Sequence, residues 1–261
     1  DVTILTMSDN NKKNTSFLKN ILSKKIKKKI IYSKVYKTIK KIRFIEESYS
    51  TKKLFSIYEM NNEPIKKPDE KKFYDLIKRN IEKFDLIVLN DFGHELMTPK
   101  IVELVSKKSK YLSLNVQTNS ANIPFNPVTK YQKADFVSID MPEAKIASGH
   151  KYLSKLEMHK NIIKKSKFKN LIFTEGKLGS WYFKNNKSFN TPIFNDKVVD
   201  TMGAGDAFFS ISSLVMKKTE NIELACFIGN IAGALKVSIE GHSKYLDREE
   251  FIKYLKTLII K

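Results

Sequence analysis

The sequence predicts an α/β fold in three layers, with a mostly parallel central sheet between helices and a small antiparallel β flap beside it. Short apolar runs of about five residues, the length of buried strands, recur at 2–6, 85–89, 111–116, 135–139 and 170–174. Segments of helical period lie between and after them, at 71–84, 98–106, 142–147, 152–165, 204–217, 223–238 and 248–259. That alternation favours parallel strands joined by helical crossovers. Residues 30–60 break the pattern: Ile30-Ile-Tyr-Ser-Lys-Val-Tyr36, then a run from Thr38 to Ile45, then one from Lys53 to Met60, with no helical segment between. Being rich in β-branched and aromatic residues, they read as two or three antiparallel strands, the flap.

The first strand begins almost at Asp1, from which a missing upstream portion is expected. A helix beginning near Ser16 follows, with the basic run Lys24-Lys-Ile-Lys-Lys-Lys29 as its solvated end. The Asn- and Lys-rich stretch 61–72 is the expected boundary between flap and body. The strand–helix alternation then runs on through the second half. There are no internal repeats and no Pro/Gly/Ser linker.

Composition narrows the function classes. With 261 residues, 41% of them hydrophobic, the chain can bury a substantial core. No apolar run approaches the roughly eighteen residues that span a membrane. The single cysteine, Cys226, lies in the apolar run Leu224-Ala-Cys-Phe-Ile228, which excludes a disulfide framework or a cysteine metal site within one chain. His94, His150, His159 and His242 show no ligand-like pairing. A cytoplasmic compartment is expected.

The net charge of +20 suggests anionic partners. Yet Arg43, Arg79 and Arg248 are the only arginines among 48 basic residues, whereas nucleic-acid sites favour arginine for bidentate contacts. The charge reads as lysine-rich composition, and neither nucleic acid nor membrane is expected as a partner.

The nine glycines are uneven, with none before Gly93, so close backbone approach to a ligand belongs to the later part of the chain. The strongest motif is Asp200-Thr-Met-Gly-Ala-Gly-Asp206. A β-like run enters a glycine turn and continues into a helix, offering the amides of Gly203, Ala204 and Gly205 to an anion at a helix N-terminus. Such amides would stabilise a phosphoryl group in flight, and Asp206 would accept the proton of an attacking hydroxyl. A Walker A spacing is absent. An Asp beside a glycine turn is common alone, but the joint pattern arises by chance on the order of once in 10⁵ such chains.

This segment resembles the C-terminal signature of the ribokinase-like (PfkB-type) carbohydrate kinases. The resemblance implies a ribokinase-like fold, ATP with Mg²⁺, Asp206 as catalytic base and an anion hole of Gly203, Ala204 and Gly205. Leu171-Ile-Phe-Thr-Glu-Gly-Lys-Leu-Gly-Ser180 resembles the family's nucleotide-lining turn, which puts Thr174, Gly176 and Gly179 nearest ATP. Asp140-Met-Pro-Glu143 resembles its Asn-x-x-Glu, whose Glu acts on magnesium through water. Asp140 keeps an oxygen acceptor there and adds negative charge, whereas Glu143 by itself would also suit a plain first helical turn. Asn230, in a nearly all-apolar helical segment, corresponds to an adenine contact. The family also brings a monovalent cation beside Asp200.

The acceptor side draws on a subgroup, the kinase arm of bifunctional heptose-phosphate proteins. Leu89-Asn-Asp-Phe-Gly-His94 resembles its Asp-Tyr-Gly-Lys-Gly loop, with His94 and Glu95 replacing Lys and Gly, and Thr38-Ile-Lys-Lys-Ile-Arg43 resembles its flap strand. Arg43, Asp91, Gly93 and Asn115 are the candidate substrate contacts, for a sugar or sugar phosphate. Arg43 fits an exposed flap residue equally well. The amide-rich stretch 115–122 could bind hydroxyls or brace a loop. The resemblance implies one kinase domain over 1–261, with residues 30–60 as its lid and upstream a sugar-gripping segment and a nucleotidyltransferase domain. The flap is a candidate surface for a homodimer. The alternative function is a nucleotide- or sugar-binding module that keeps the fold without turnover.

Overall fold

The computed structural model describes residues 1–46, 52–60, 63–119, 122–195 and 197–259. Asn61 and Asn62 of the expected boundary, and Ser120 and Ala121 of the amide-rich stretch, lie outside the described residues, as does the Lys53 side chain. The chain divides into two compact units, one of residues 1–84 and 93–109 and the other of residues 85–92 and 110–261. Residues 63–72 of the expected flap–body boundary lie within the first unit.

In the first unit, β1 (Thr3–Asp9) and β2 (Lys27–Ser33) pair in parallel across α1 (Lys12–Ile21). This corrects two expectations. The helix ends at Ile21, and Lys27, Lys28 and Lys29 open a strand instead of closing a helix. Ile30 to Ser33 belong to that strand, so the first run of the 30–60 segment is no part of the flap, which keeps two strands. Alternation explains how a basic run can pair: the Lys28 ammonium bonds Leu22 O at 2.9 Å and that of Lys29 bonds Asn80 Oδ1 at 2.5 Å.

The flap is the hairpin of β3 (Lys40–Glu46) and β4 (Lys52–Glu59). Phe44 and Phe55 stack across it with centroids 4.4 Å apart, and Arg43 sits opposite Ser56. Phe44, Phe55, Ile42 and Ile57 are all exposed. Helices α2 (Lys67–Asn80) and α3 (Pro99–Lys108) supply much of this unit's buried core, including Phe73, Ile77, Ile101 and Val105, alongside Met7, Tyr36 and Ile65.

The second unit holds a six-stranded sheet. β5 (Ile87–Asp91), β6 (Leu112–Val116), β7 (Lys133–Asp140) and β8 (Lys167–Thr174) run parallel. β9 (Ser180–Lys184) and β10 (Lys187–Thr191) extend it antiparallel, in the order β10-β9-β8-β7-β6-β5. All of β6 and six consecutive residues of β7 are buried, as when helices cover both faces of a parallel sheet. The helices are α4 (Met141–Ser148), α5 (Lys155–Lys165), α6 (Ala204–Thr219), α7 (Ile222–Lys236) and α8 (Arg248–Ile259). Phe208 and Phe209 of α6 are buried, with the Phe209 ring 6.3 Å from that of Phe136 on β7. Gly229 of α7 lets this pair of helices close, since a Cβ there would stand 2.7 Å from the Phe208 ring. No helix among the described residues is long and apolar enough to cross a membrane.

Candidate active site

In open parallel sheets ligands bind beyond the C-terminal ends of the strands. Most of the second unit's candidates lie at such ends or at the N-terminus of α6.

The signature is anchored before its glycine turn. Val199 N and Asp200 N both donate to Val237 O, at 2.8 and 3.1 Å. Asp200 Oδ1 accepts from Met202 N at 2.9 Å and Oδ2 from Gly241 N at 3.0 Å. Gly203 then caps α6 with φ +78°, a left-handed conformation that glycine adopts without strain. Ala204 N turns back to Thr201 O at 3.3 Å, and Ala207 N opens the helical ladder on Gly203 O. Between these two, the amides of Gly205 and Asp206 are first-turn donors without an intrahelical acceptor. Of the expected Gly203–Gly205 set, Ala204 has its amide engaged in this turn bond, and the Asp206 amide adds a further first-turn donor. A Cβ on Gly205 would meet nothing within 4 Å, so internal packing does not require glycine there; a close-approaching anion would.

Asp206 lies half-buried on the first turn of α6, and its Oδ1 accepts from Gln117 Nε2 at 2.8 Å. The same Nε2 donates to Asn115 Oδ1 at 3.0 Å, and Asn115 Nδ2 donates to Ser138 O at 2.8 Å. Gln117 N bonds Asp91 O at 2.8 Å, and Gln117 O accepts from Asn126 at 2.9 Å. The next residue, Thr118, gives its amide to Glu143 Oε1 at 3.0 Å. Two consecutive residues after β6 thus hold Asp206 and Glu143. In the same stretch, Asn119 and Asn122 donate to Phe92 O at 3.3 and 3.0 Å, so bracing accounts for these two amides.

Asp140 and Glu143 form a reciprocal cap on α4. Asp140 Oδ1 accepts from Glu143 N, and Glu143 Oε2 from Asp140 N, both at 2.9 Å. Glu143 is 7% exposed. Burial above all, then the charge of Asp140, pushes its carboxyl up to about 8 against the amide bonds that favour its ionised form. Asp140, at the rim, is also raised by partial burial. Two carboxylates that resist sharing their charge suit a cation held mainly by phosphates and water, as Mg²⁺ is. Among the described residues no cluster of three or more His, Cys, Asp or Glu could cage a metal by itself.

Thr174 ends β8 directly beside Asp140, and its hydroxyl approaches Ile139 O at 3.5 Å. The turn that follows carries Gly176 at φ +51° and Gly179 at φ +82°. Gly179 is sterically required, because a Cβ would lie 2.1 Å from Thr191 O. Glu175 braces this turn, accepting from Trp181 Nε1 at 2.8 Å and pairing with Lys155 at 3.1 Å.

Two candidates are engaged elsewhere. Asp91 is 3% exposed; Tyr131 OH donates to its carboxylate at 2.8 Å and Lys130 pairs with it at 2.6 Å. A carboxylate buried with those partners braces the end of β5. Asn230 is also buried, its Nδ2 donating to Thr191 O at 2.8 Å and Pro192 O at 3.0 Å. That Nδ2 group ties α7 to the end of β10. Gly93, with φ +66°, and Arg43 both belong to the first unit.

Sequence reading passed over Gln117 as one amide of many, and Lys236 altogether. The signal for Lys236 was a lone lysine ending an otherwise apolar helix. It is 7% exposed, and its Nζ donates to Gly241 O at 2.5 Å. The surroundings of Asp200 consequently do not fit an added monovalent cation. Both Asp200 oxygens accept amides, and the nearby Gly241 carbonyl accepts an ammonium.

A braced carboxylate at an open helix N-terminus, on an α/β scaffold, defines a site suited to group transfer onto a hydroxyl. Comparison with known proteins agrees: residues 17–247 match the pfkB family carbohydrate kinase, and the chain belongs to that family of phosphotransferases. A bifunctional protein HldE of Campylobacter jejuni is 28% identical over 166 residues, covering 62% of this chain and 35% of its own length. The chain thus spans about a third of that relative. Among solved structures, ribokinase from Thermotoga maritima superposes with TM-score 0.75 at 19% identity, covering 97% of this chain and 81% of the other. An Arabidopsis thaliana ribokinase complexed with ribose and ATP gives TM-score 0.67 at 16% identity, covering 97% and 81%. These two likenesses establish a ribokinase-like fold.

Proposed function

We propose that the chain transfers the γ-phosphate of ATP to a hydroxyl of a sugar or sugar phosphate, with Asp206 as general base. The observation that carries this reading is the Asp206 carboxylate fixed by Gln117 one residue after an uncovered glycine at a helix start. Asp206 would take the hydroxyl proton as the nucleophile attacks. The amides of Gly205 and Asp206, with the turn at Gly203 and Ala204, would hold the transferring group. Thr174, Gly176 and Gly179 would line the nucleotide. Glu143, with Asp140, would hold Mg²⁺ through water. The metal, when bound, supplies neutralisation of the β- and γ-phosphates.

The acceptor we favour is a heptose-phosphate-like sugar. The loop 89–94 and the flap strand through Arg43 support it, as does the likeness to a bifunctional relative. Arg43 would pair with the acceptor's phosphate, and Asn115 would act through Gln117 on the base. That this chain spans about a third of the bifunctional relative supports a longer whole protein, for which the sequence resemblance suggests a nucleotidyltransferase domain. The exposed Phe44–Phe55 stack supports pairing of the flap with a second copy. ATP as donor and one buried free thiol favour the cytoplasm.

The test is Asp206→Asn. Loss of a general base predicts a fall of about 10²–10⁴-fold in ADP release over a sugar-phosphate panel, with ATP binding by calorimetry preserved. Wild-type turnover in that variant would sink the reading. ATP binding by wild type without turnover on any acceptor would favour the binding module.

A further inference from the structure

We infer that Lys236 is a built-in cation of the phosphoryl site, supplying the positive charge that a monovalent ion would otherwise bring beside Asp200. The inference rests on the kinase reading for where phosphate lies. Its geometry comes from the second unit alone.

Lys236 is the last residue of α7, whose body from Leu224 to Leu235 holds only apolar residues, glycines and Asn230. Its side chain is drawn inward and not out into solvent. The stem passes beneath the glycine turn, since a Cβ on Gly203 would come 3.2 Å from Lys236 Cε. The ammonium donates to Gly241 O at 2.5 Å, and the amide of that same Gly241 donates to Asp200 Oδ2 at 3.0 Å. Asp200 and Lys236 therefore hold opposite ends of one residue, and both lie against the turn that starts α6.

Burying an ammonium costs several kcal/mol unless opposite charge compensates it. One carbonyl is a weak compensation, and among the described residues no carboxylate forms an ion pair with Lys236. Two negative charges are placed to balance it. One is Asp200, acting across Gly241. The other is an anion at the α6 N-terminus, which the Gly203 turn separates from the lysine stem. A resident monovalent ion would need Gly241 O and the Asp200 carboxylate as ligands. In this chain those oxygens already accept the ammonium and two backbone amides. The lysine thus makes the site's positive charge covalent, present whatever the salt.

The experiment is a cation series at matched ionic strength, KCl, NaCl and choline chloride, read by thermal melting and by ATP-dependent ADP release. Wild type is expected to vary by less than about 2-fold in rate, with no change in melting temperature, because screening is equal in the three salts. Lys236→Met is expected to lose about 10- to 100-fold in choline chloride, the scale of one charge-assisted contact, and to regain rate and melting temperature specifically in KCl. Lys236→Arg, which keeps the charge, should remain indifferent to the cation. Specific stabilisation or activation of wild type by K⁺ would overturn the inference, as would a Lys236→Met protein as active as wild type in every salt. If Lys236→Met fails to fold, the wild-type series and Lys236→Arg still decide. If no acceptor is ever phosphorylated, the kinase reading fails separately, while K⁺-dependent melting confined to Lys236→Met would still support the built-in cation.

Discussion

Replacing Gln117 by leucine removes the donor that holds the base while leaving the loop's backbone anchors in place. Gln117 N stays on Asp91 O and Gln117 O on Asn126, so the chain path after β6 should persist. Asp206 Oδ1 loses its 2.8 Å bond, and its carboxylate becomes free to rotate on the first turn of α6. A hydrogen bond to a charged group is worth roughly 1.5–3 kcal/mol, equivalent to about 10- to 150-fold in rate. The loss should fall on kcat, because Gln117 acts on the base and not on bound nucleotide, and the KM for ATP should change little. Gln117→Glu is the sharper version, since it sets a second carboxylate against Asp206 and should lower kcat further. Steady-state ADP release at saturating acceptor, with melting curves as a control for folding, reads both variants. A folded Gln117→Leu protein with wild-type kcat would refute the view that this contact positions the base.

Two further outcomes follow from the geometry. Gly179→Ala would place a Cβ 2.1 Å from Thr191 O at a φ of +82°, a strain of about 3 kcal/mol or more. For a chain of this size that is a fall of roughly 6–12 °C in melting temperature, and an unchanged melt would show that the turn after β8 is misplaced. If the flap pairs with a second copy, light scattering should give a dimer mass for the chain. Phe55→Glu, at a residue 52% exposed, should then give a monomer without altering the melt. A wild-type monomer mass would contradict that pairing.

Residues of the parallel sheet were legible because buried strands and amphipathic helices differ in period over whole segments. β5 to β8 each contain, wholly or in large part, a run read as apolar. The basic run failed as a helix end because charge alone carries no period. Lys27, Lys28 and Lys29 sit on a strand whose partner, β1, is set by long-range pairing. Glu143 was recognised by spacing, but its bond to Thr118 joins residues 25 apart in sequence. Gln117 meets Asp206 across 89 residues. Neither contact leaves a local pattern. The partners of Asp91 and Asn230 were hidden for a related reason: a polar residue near a strand end or in an apolar helix carries no local sign of the protein groups it bonds in the fold. Lys236 is the converse, a charge on an apolar helix that only the fold turns inward.

The Asp206 carboxylate, the proposed base, is supported from two directions, and neither suffices alone. The glycine turn can start a helix and expose amides, but a first-turn carboxylate on a helix end would still swing over several rotamers. One support is the packing of α6, where buried Phe208 and Phe209 follow Asp206 within a turn and lock the helix against β7. The other comes from β6, which is buried along its whole length. The Gln117 N bond to Asp91 O extends its pairing with β5 one step past the strand. The Gln117 amide is therefore positioned by the sheet and not by a free loop, the condition under which a side chain can hold a reacting group to within a fraction of an ångström. Because Thr118 carries the Glu143 contact on the same rigid step, a shift that moved the base would also move the carboxylate proposed to serve the metal. Asp206 and Glu143 are in this sense registered to one strand end, which explains why the acids can be found from the motif but their alignment cannot.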